Sequence, residues 1–259
     1  MRSLAIIIPA HNEEKRIRKK LDAYVPYFSN LVKTKKLEGV KILIVINASV
    51  DKTKDIVFNY KHQNLEFIEF IKGGKGFAVI EGFKHILKED YTYIGFVDAD
   101  MATTPEEFYK LLLKIRDYDG VIASRYISGA ILKPRNTVLR IIASRIYNFF
   151  IRATLIIPYR DTQCGAKIFK RNALIKIINN IGMTSWAFDI EMLYLLNKAG
   201  YKIKEIPTVW SNEDYSTINF WRSGPWMGLA IIRLRILNSP FKRMVKIYDK
   251  FIRIFKPAK

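Results

Sequence analysis

Short apolar runs that stop at polar clusters punctuate the chain. Residues 4–8, 40–46, 65–70, 93–97 and 120–124 are stretches of strand length, and 204–210 is a last one. Helix-length segments lie between and after them, among them 77–87, 105–116, 135–155 and 171–180. Such alternation predicts a doubly wound, mostly parallel α/β sheet. Sheets of this kind bind ligands beyond the carboxyl ends of their strands, and polar residues gather there. Pro9-Ala10-His11-Asn12-Glu13-Glu14 follows the first run, Asn47-Ala48-Ser49-Val50-Asp51 the second, and Ser124-Arg125-Tyr126 the run at 120–124. In the first loop Asn12 is expected to cap a helix that Glu13 and Glu14 open with the favourable dipole sign.

The run at 93–97 ends in Asp98-Ala99-Asp100. Two hard oxygen ligands two residues apart suit a divalent cation, and a cation suits a phosphate. The same spacing also suits a plainer role, with Asp100 capping the helix that starts near Pro105. Lys72-Gly73-Gly74-Lys75-Gly76 lacks P-loop spacing. It is either a flexible turn or a means of bringing backbone N–H groups and Lys75 to an anion. The segment 135–155 sets Arg135, Arg140, Arg145 and Arg152 among apolar residues, which fits arginines facing anions or snorkelling from a packed helix. Asp189 and Glu191 read first as acids in a helix's first turn. His62 and His85 are placed on surface helices without metal-ligand partners.

From residue 241 to 256 the pattern changes. At helical spacing the apolar residues, Phe241, Met244, Val245, Ile247, Tyr248, Phe251, Ile252, Ile254 and Phe255, fill one half of the circumference. The other half is almost purely cationic, which favours a helix lying in a membrane interface over one docked on the domain. Trp221 and Trp226 would anchor at the same level. This divides the chain into one domain at 1–220 and a basic amphipathic tail at 221–259. The net charge of +20 points to anionic partners; with much of the surplus in the tail, an anionic membrane surface is expected rather than nucleic acid. A single cysteine, Cys164, excludes an internal disulfide framework. No window is long and apolar enough for a transmembrane span, so a peripheral protein at the cytoplasmic face of the membrane is expected.

Taken in order, Pro9-Ala-His-Asn-Glu13, Ser49-x-Asp51-x-Thr53, Gly74-Lys75-Gly76, Asp98-Ala-Asp100, Ser124-Arg125-Tyr126, Asp161-Thr-Gln-Cys-Gly165 and Trp186-x-Phe-Asp189 form a set. Over about residues 3–216 the chain resembles inverting family 2 glycosyltransferases of the GT-A fold. Within them it is most similar to dolichyl-phosphate glucosyltransferases and the related mannose synthases. The resemblance implies transfer of a hexose, glucose favoured, from a UDP- or GDP-sugar to dolichyl or polyprenyl phosphate. Pro9, Ala10, His11, Glu13, Asn47 and Asp51 would hold the nucleoside, with Lys75 and Ala99 also in the nucleotide-sugar site. Asp98 and Asp100 would hold Mg²⁺ or Mn²⁺. Arg125, Arg140 and Ser144 would surround the acceptor phosphate, and Asp189 would orient the sugar or assist catalysis. The family usually has Asp-Asp-Gly where this chain has Ile46-Asn47-Ala48, so Asn47 keeps an acceptor oxygen and loses a charge. Two other readings remain: a related transferase with another lipid or glycan acceptor, and a degenerate member that binds nucleotide and membrane without turnover.

Overall fold

The computed structural model describes residues 2–133, 138–182, 187–211 and 220–255, without the side chains of 138–140, 220–226 and 251–255. Its centre is a seven-stranded sheet of β1 (Ser3–Ala10), β2 (Gly39–Asn47), β3 (Leu65–Phe70), β4 (Tyr93–Val97), β5 (Gly120–Ser124), β7 (Ala166–Lys170) and β8 (Ile203–Pro207). The order is β3-β2-β1-β4-β7-β5-β8. All neighbours run parallel except β7, which is antiparallel to both β4 and β5. A separate parallel pair joins β6 (Ile131–Lys133) to β9 (Val209–Ser211).

The apolar runs form strands because the centre of the sheet is covered on both faces, so nearly every position of β1, β2, β4 and β5 is buried, while β3 at the edge is only partly covered. On β1, Ala5 and Ile7 point into one core and Leu4, Ile6 and Ile8 into the other, as the two-residue period of a strand requires. The first core also takes Phe83 of α3 (Lys75–Ile86), Ile151 of α5 (Val138–Leu155) and Leu193 of α7 (Phe188–Lys198). The second takes Phe28 of α1 (Ile17–Lys33), Val57 of α2 (Thr53–Asn59) and Leu112 of α4 (Pro105–Lys114). After α6 (Arg171–Ile177), α7 and the last strands, the chain ends in α8 (Phe220–Leu237) and α9 (Val245–Phe255).

Several expectations change. The helix α4 is capped by Thr104, whose Oγ1 accepts the Glu107 N–H at 3.4 Å with Pro105 in the first turn, so Asp100 is not the cap. Asn12 caps nothing: α1 starts at Ile17, and Asn12 has a left-handed backbone with φ 55°. Strand β7 lies outside the expected runs, since Lys167 interrupts its apolar pattern. The run at 204–210 splits into β8 and β9. His62 lies in a loop rather than a helix. His85 does have carboxylate neighbours: its Nε2 is 2.6 Å from Glu66, with Glu89 nearby. Lys41 Nζ bridges Glu66 and Glu89 at 2.7 and 2.5 Å, which offsets one of their two negative charges.

The tail helix is partly docked. Val245 is buried, the Tyr248 hydroxyl donates to the Leu229 carbonyl at 2.7 Å, and Arg233 pairs with Asp249 at 2.7 Å. Phe241, Met244 and Ile247 stay exposed. Trp186, Trp221, Trp226 and the apolar residues from Phe251 onward lie outside the described side chains.

Candidate active site

The carboxyl ends of β1, β2 and β4 lie side by side, and each is followed within a few residues by one with positive φ: Asn12 at 55°, Ala48 at 49° and Met101 at 59°. For alanine and methionine this geometry costs on the order of 1 kcal/mol or more each, and such strain collects where function fixes the backbone. The loops after β1 and β2 are stapled together. The Asn12 N–H donates to Ser49 Oγ at 3.1 Å, Val50 N–H to Asn12 Oδ1 at 2.9 Å, Glu13 N–H to Thr53 Oγ1 at 2.7 Å and Glu14 N–H to Asp51 Oδ2 at 3.0 Å. Burial would raise the Asp51 carboxyl, but hydrogen bonds from Thr53 and Glu14 outweigh it and hold the pKa low. Asp51 therefore shapes the loop with both oxygens engaged.

His11 Nδ1 lies 2.8 Å from the Asn47 carbonyl oxygen. The buried Asn47 amide, oriented by its partners, donates to the Ala10 carbonyl at 2.9 Å and accepts the Gly74 N–H at 3.0 Å. An aspartate could not make that donation, so Asn47 suits its place as a linker of three loops. Gly74, with φ 119°, turns the chain into α3 and delivers Lys75 to the site. Pro9 and Ala10 pair with Val45 and Ile46 in the sheet, and Ala99 is buried below the loop. Glu13 is paired with Arg16 at 2.7 Å, yet burial raises its carboxyl.

Lys75 Nζ sits 2.7 and 2.9 Å from the two oxygens of Asp98. Burial lowers the lysine's pKa, but Asp98, then Asp189, outweigh it and the ammonium is held charged. Asp100 Oδ1 accepts the Ala102 N–H at 3.0 Å. Burial first, and Asp98 next, raise the Asp100 carboxyl, the signature of two like charges in too little water. Asp98 Oδ1 is buried and, apart from its ion pair, in no well-angled hydrogen bond. Crowded carboxylates with such an oxygen fit a divalent cation.

Around this pair the chain is tightly packed. A Cβ on Gly165 would come within 2.0 Å of Asp98 Oδ2, so only glycine fits there. Its loop is fixed from several sides. Asp161 takes a bidentate pair from Arg125 at 2.8 and 2.9 Å, and its N–H donates to Glu205 at 2.9 Å. Thr162 donates to Asn148 Oδ1 at 3.3 Å. Arg125 was expected at an acceptor phosphate; two of its nitrogens are already given to Asp161. Ser144 lies half-buried on α5. The side chain of Arg140, on the same helix, lies outside the described residues. Asp189, in the first turn of α7, pairs with the buried Lys167 at 2.6 Å, and Lys167 also donates to the Cys164 carbonyl at 2.6 Å. Burial pushes the Cys164 thiol up to about 12, which leaves it inert.

Two cations escaped the sequence reading. Lys167 interrupts an apolar run, and Lys20 sits on the apolar face of α1 with Ile17, Leu21 and Tyr24. A lysine at a core position was the available signal. Lys20 is fully buried, with Nζ 4.0 Å from the centre of the Tyr24 ring and 3.5 Å from the Thr103 carbonyl. Burial lowers its pKa to about 7, against the pull of Asp100, Asp98 and Glu13.

The chain matches the family model "Glycosyl transferase family 2" over residues 5–178. It is 33% identical over 222 residues to a dolichyl-phosphate beta-glucosyltransferase of Trichomonas vaginalis, spanning 82% of this chain and 67% of the relative. The human dolichyl-phosphate beta-glucosyltransferase is 28% identical over 256 residues, 93% of this chain and 78% of the relative. Among solved structures, Mycobacterium tuberculosis glucosyl-3-phosphoglycerate synthase with Mn²⁺, UDP and glucosyl-3-phosphoglycerate superposes with a TM-score of 0.65 at 16% identity. That match covers 91% of this chain and 79% of the other and speaks for a shared GT-A fold. With the family model matching well over half its length, this chain belongs to glycosyl transferase family 2.

Proposed function

We propose that the protein moves a hexose, glucose in the first place, from a nucleotide sugar to dolichyl or polyprenyl phosphate, with inversion and at a membrane surface. The observation that carries this reading is the Asp98–Asp100 pair. It is freed from helix capping by Thr104, crowded by burial, and set beside the Lys75 ammonium at the strand ends. The acceptor class and the preference for glucose rest on the named relatives.

Mg²⁺ or Mn²⁺ held by Asp98 and Asp100 would supply charge neutralisation for the donor diphosphate. Lys75 would share that task, since its raised pKa keeps it cationic. The acceptor is a phosphomonoester, largely dianionic at neutral pH because its second pKa is near 6. Its oxygen forms the new bond to the anomeric carbon while the bond from that carbon to the donor phosphate breaks. The electron pair leaves with the nucleoside diphosphate, and no proton has to move. No strong base is therefore required, which agrees with Asp189 being tied to Lys167 rather than free. Asp189 serves to position the sugar. Ser144 on α5 would serve the acceptor phosphate, as Arg140 would by the family resemblance, with Arg125 contributing only what its pair with Asp161 leaves over.

The test is a transfer assay with purified protein, Mn²⁺, detergent-dispersed polyprenyl phosphate and a panel of UDP- and GDP-sugars. Label entering the lipid phosphate from one donor, in the inverted anomeric configuration, supports the reading. Absence of transfer from every donor overturns it.

A further inference from the structure

Asp100 lies in the short loop between β4 and α4, and residues 101–103 of that loop are held from two sides. Met101 has a left-handed backbone with φ 59°, a conformation that persists only where its neighbours over-determine it. On one side the Ser211 N–H, at the end of β9, donates to the Ala102 carbonyl at 3.0 Å. The strand β9 is itself fixed to α4, since Glu107 accepts the Thr208 hydroxyl at 3.0 Å and the Val209 N–H at 2.9 Å. On the other side α1 reaches the next carbonyl, that of the buried Thr103. The Tyr24 hydroxyl donates to it at 2.9 Å, and Lys20 Nζ lies 3.5 Å away. Four residues apart, the two donors share one face of α1, and both are fully buried. Between these two holds the Ala102 N–H donates to Asp100 Oδ1 at 3.0 Å.

We propose that Tyr24, seconded by Lys20, is a positioning residue for Asp100. By holding the Thr103 carbonyl it fixes the Ala102 N–H, and that N–H orients the carboxylate that would take the donor's divalent cation. The inference deepens the transferase reading and rests on it for the cation. Packing alone does not call for the hydroxyl. The Tyr24 ring lies 5.7 Å from the Phe28 ring and 6.2 Å from the Phe108 ring, between centroids, and phenylalanine would fill that place as well. Burying a hydroxyl and an ammonium there is costly, yet both converge on one carbonyl three residues after Asp100. Outer contacts that orient a ligand carboxylate set metal affinity by about tenfold or more. The helix also starts from the loop after β1, where the Glu13 carbonyl accepts the Ile17 N–H at 2.8 Å. One helix thus braces both the loop after β1 and the loop that carries Asp100.

Tyr24→Phe removes the hydroxyl and keeps the ring. With full-length protein and UDP present, the electron paramagnetic resonance of free Mn²⁺ gives the Mn²⁺ dissociation constant without turnover. That constant should rise about tenfold in Tyr24→Phe. It should keep the parent's value in Tyr27→Phe, which removes a hydroxyl of α1 outside this contact. Asp100→Asn should abolish the uptake, which assigns the ion to this site. In the transfer assay Tyr24→Phe should raise the KM for Mn²⁺ by the same factor, with the acceptor KM and the kcat at saturating Mn²⁺ unchanged. A lower thermal midpoint with an unmoved Mn²⁺ dissociation constant would mean a merely structural hydroxyl and overturns the proposal. So does a loss of kcat that saturating Mn²⁺ fails to restore, or a parent that takes up no Mn²⁺. A parent that takes up Mn²⁺ but transfers no sugar counts against the transferase reading alone.

Discussion

Lys20 is an ammonium placed where the α1 pattern asks for an aliphatic side chain. It carries a pH dependence that no surface lysine could. Its pKa is about 7 in the fold against 10.5 when free, so between those values the unfolded chain binds more protons. Stability then rises with pH across that window, and below pH 7 the buried charge is a cost on the order of a few kcal/mol. Lys20→Met, similar in size, should therefore be more stable than the parent below pH 7, with the gap closing toward pH 10.5. Urea unfolding in a chelating buffer measures this; a gap that does not vary with pH would reject it. Asp100 makes a second residue-level test. Asp100→Asn should lower transfer by about a hundredfold or more, ~2.7 kcal/mol of transition-state stabilisation. Its far-UV circular dichroism and vesicle binding should be unchanged, because Thr104 rather than Asp100 caps α4.

At the scale of elements, β7 and α7 are joined by one buried ion pair. Lys167 is fully buried and reaches both Asp189 and the Cys164 carbonyl, tying the start of α7 to the loop that presses Gly165 against Asp98. Removing one partner strands a charge. Lys167→Met should destabilise the fold by about 3–5 kcal/mol, and Lys167→Met/Asp189→Leu should recover most of that loss. Thermal unfolding of the two variants decides it; equal losses would mean the lysine acts by packing alone. The same pair explains why this strand was hidden. Ala166-Lys167-Ile168-Phe169 looks interrupted until Asp189, twenty-odd residues on, neutralises the interruption. β1, β4 and β5 were legible because parallel, doubly covered strands need no partner-specific chemistry, only unbroken apolar runs, whereas the short β6 has too few residues to show a period.

At the scale of the whole molecule, the proposed action at a membrane surface draws on the net charge of +20 and on exposed apolar side chains such as Phe149, Phe241 and Ile247. Among the described residues no helix is long and apolar enough to cross a membrane. Binding to phosphatidylserine vesicles should weaken by about an order of magnitude or more between ~0.1 and ~1 M salt, as the Debye length contracts from ~10 to ~3 Å. Co-sedimentation measures this, and affinity that ignores salt would assign the contact to apolar burial alone.

What the sequence determined by itself is the frame: a doubly wound sheet, polar clusters at the strand ends, and Asp98 and Asp100 among them. These follow from local rules, the period of a strand and the position at which it stops. Tertiary structure decided which of those polar groups are still available. Asp51 and Arg125 looked like ligand contacts, yet Asp51 is engaged by Thr53 and Glu14 and Arg125 by Asp161. Asn47, which looked like a lost aspartate, makes a hydrogen bond that only an amide can donate. Asp98 and Asp100 instead lie near enough to interact, in a half-buried setting where desolvation and then the Asp98 charge raise the Asp100 carboxyl. The partners that separate these cases lie tens of residues away along the chain, and a local pattern carries no information about contacts made across that distance.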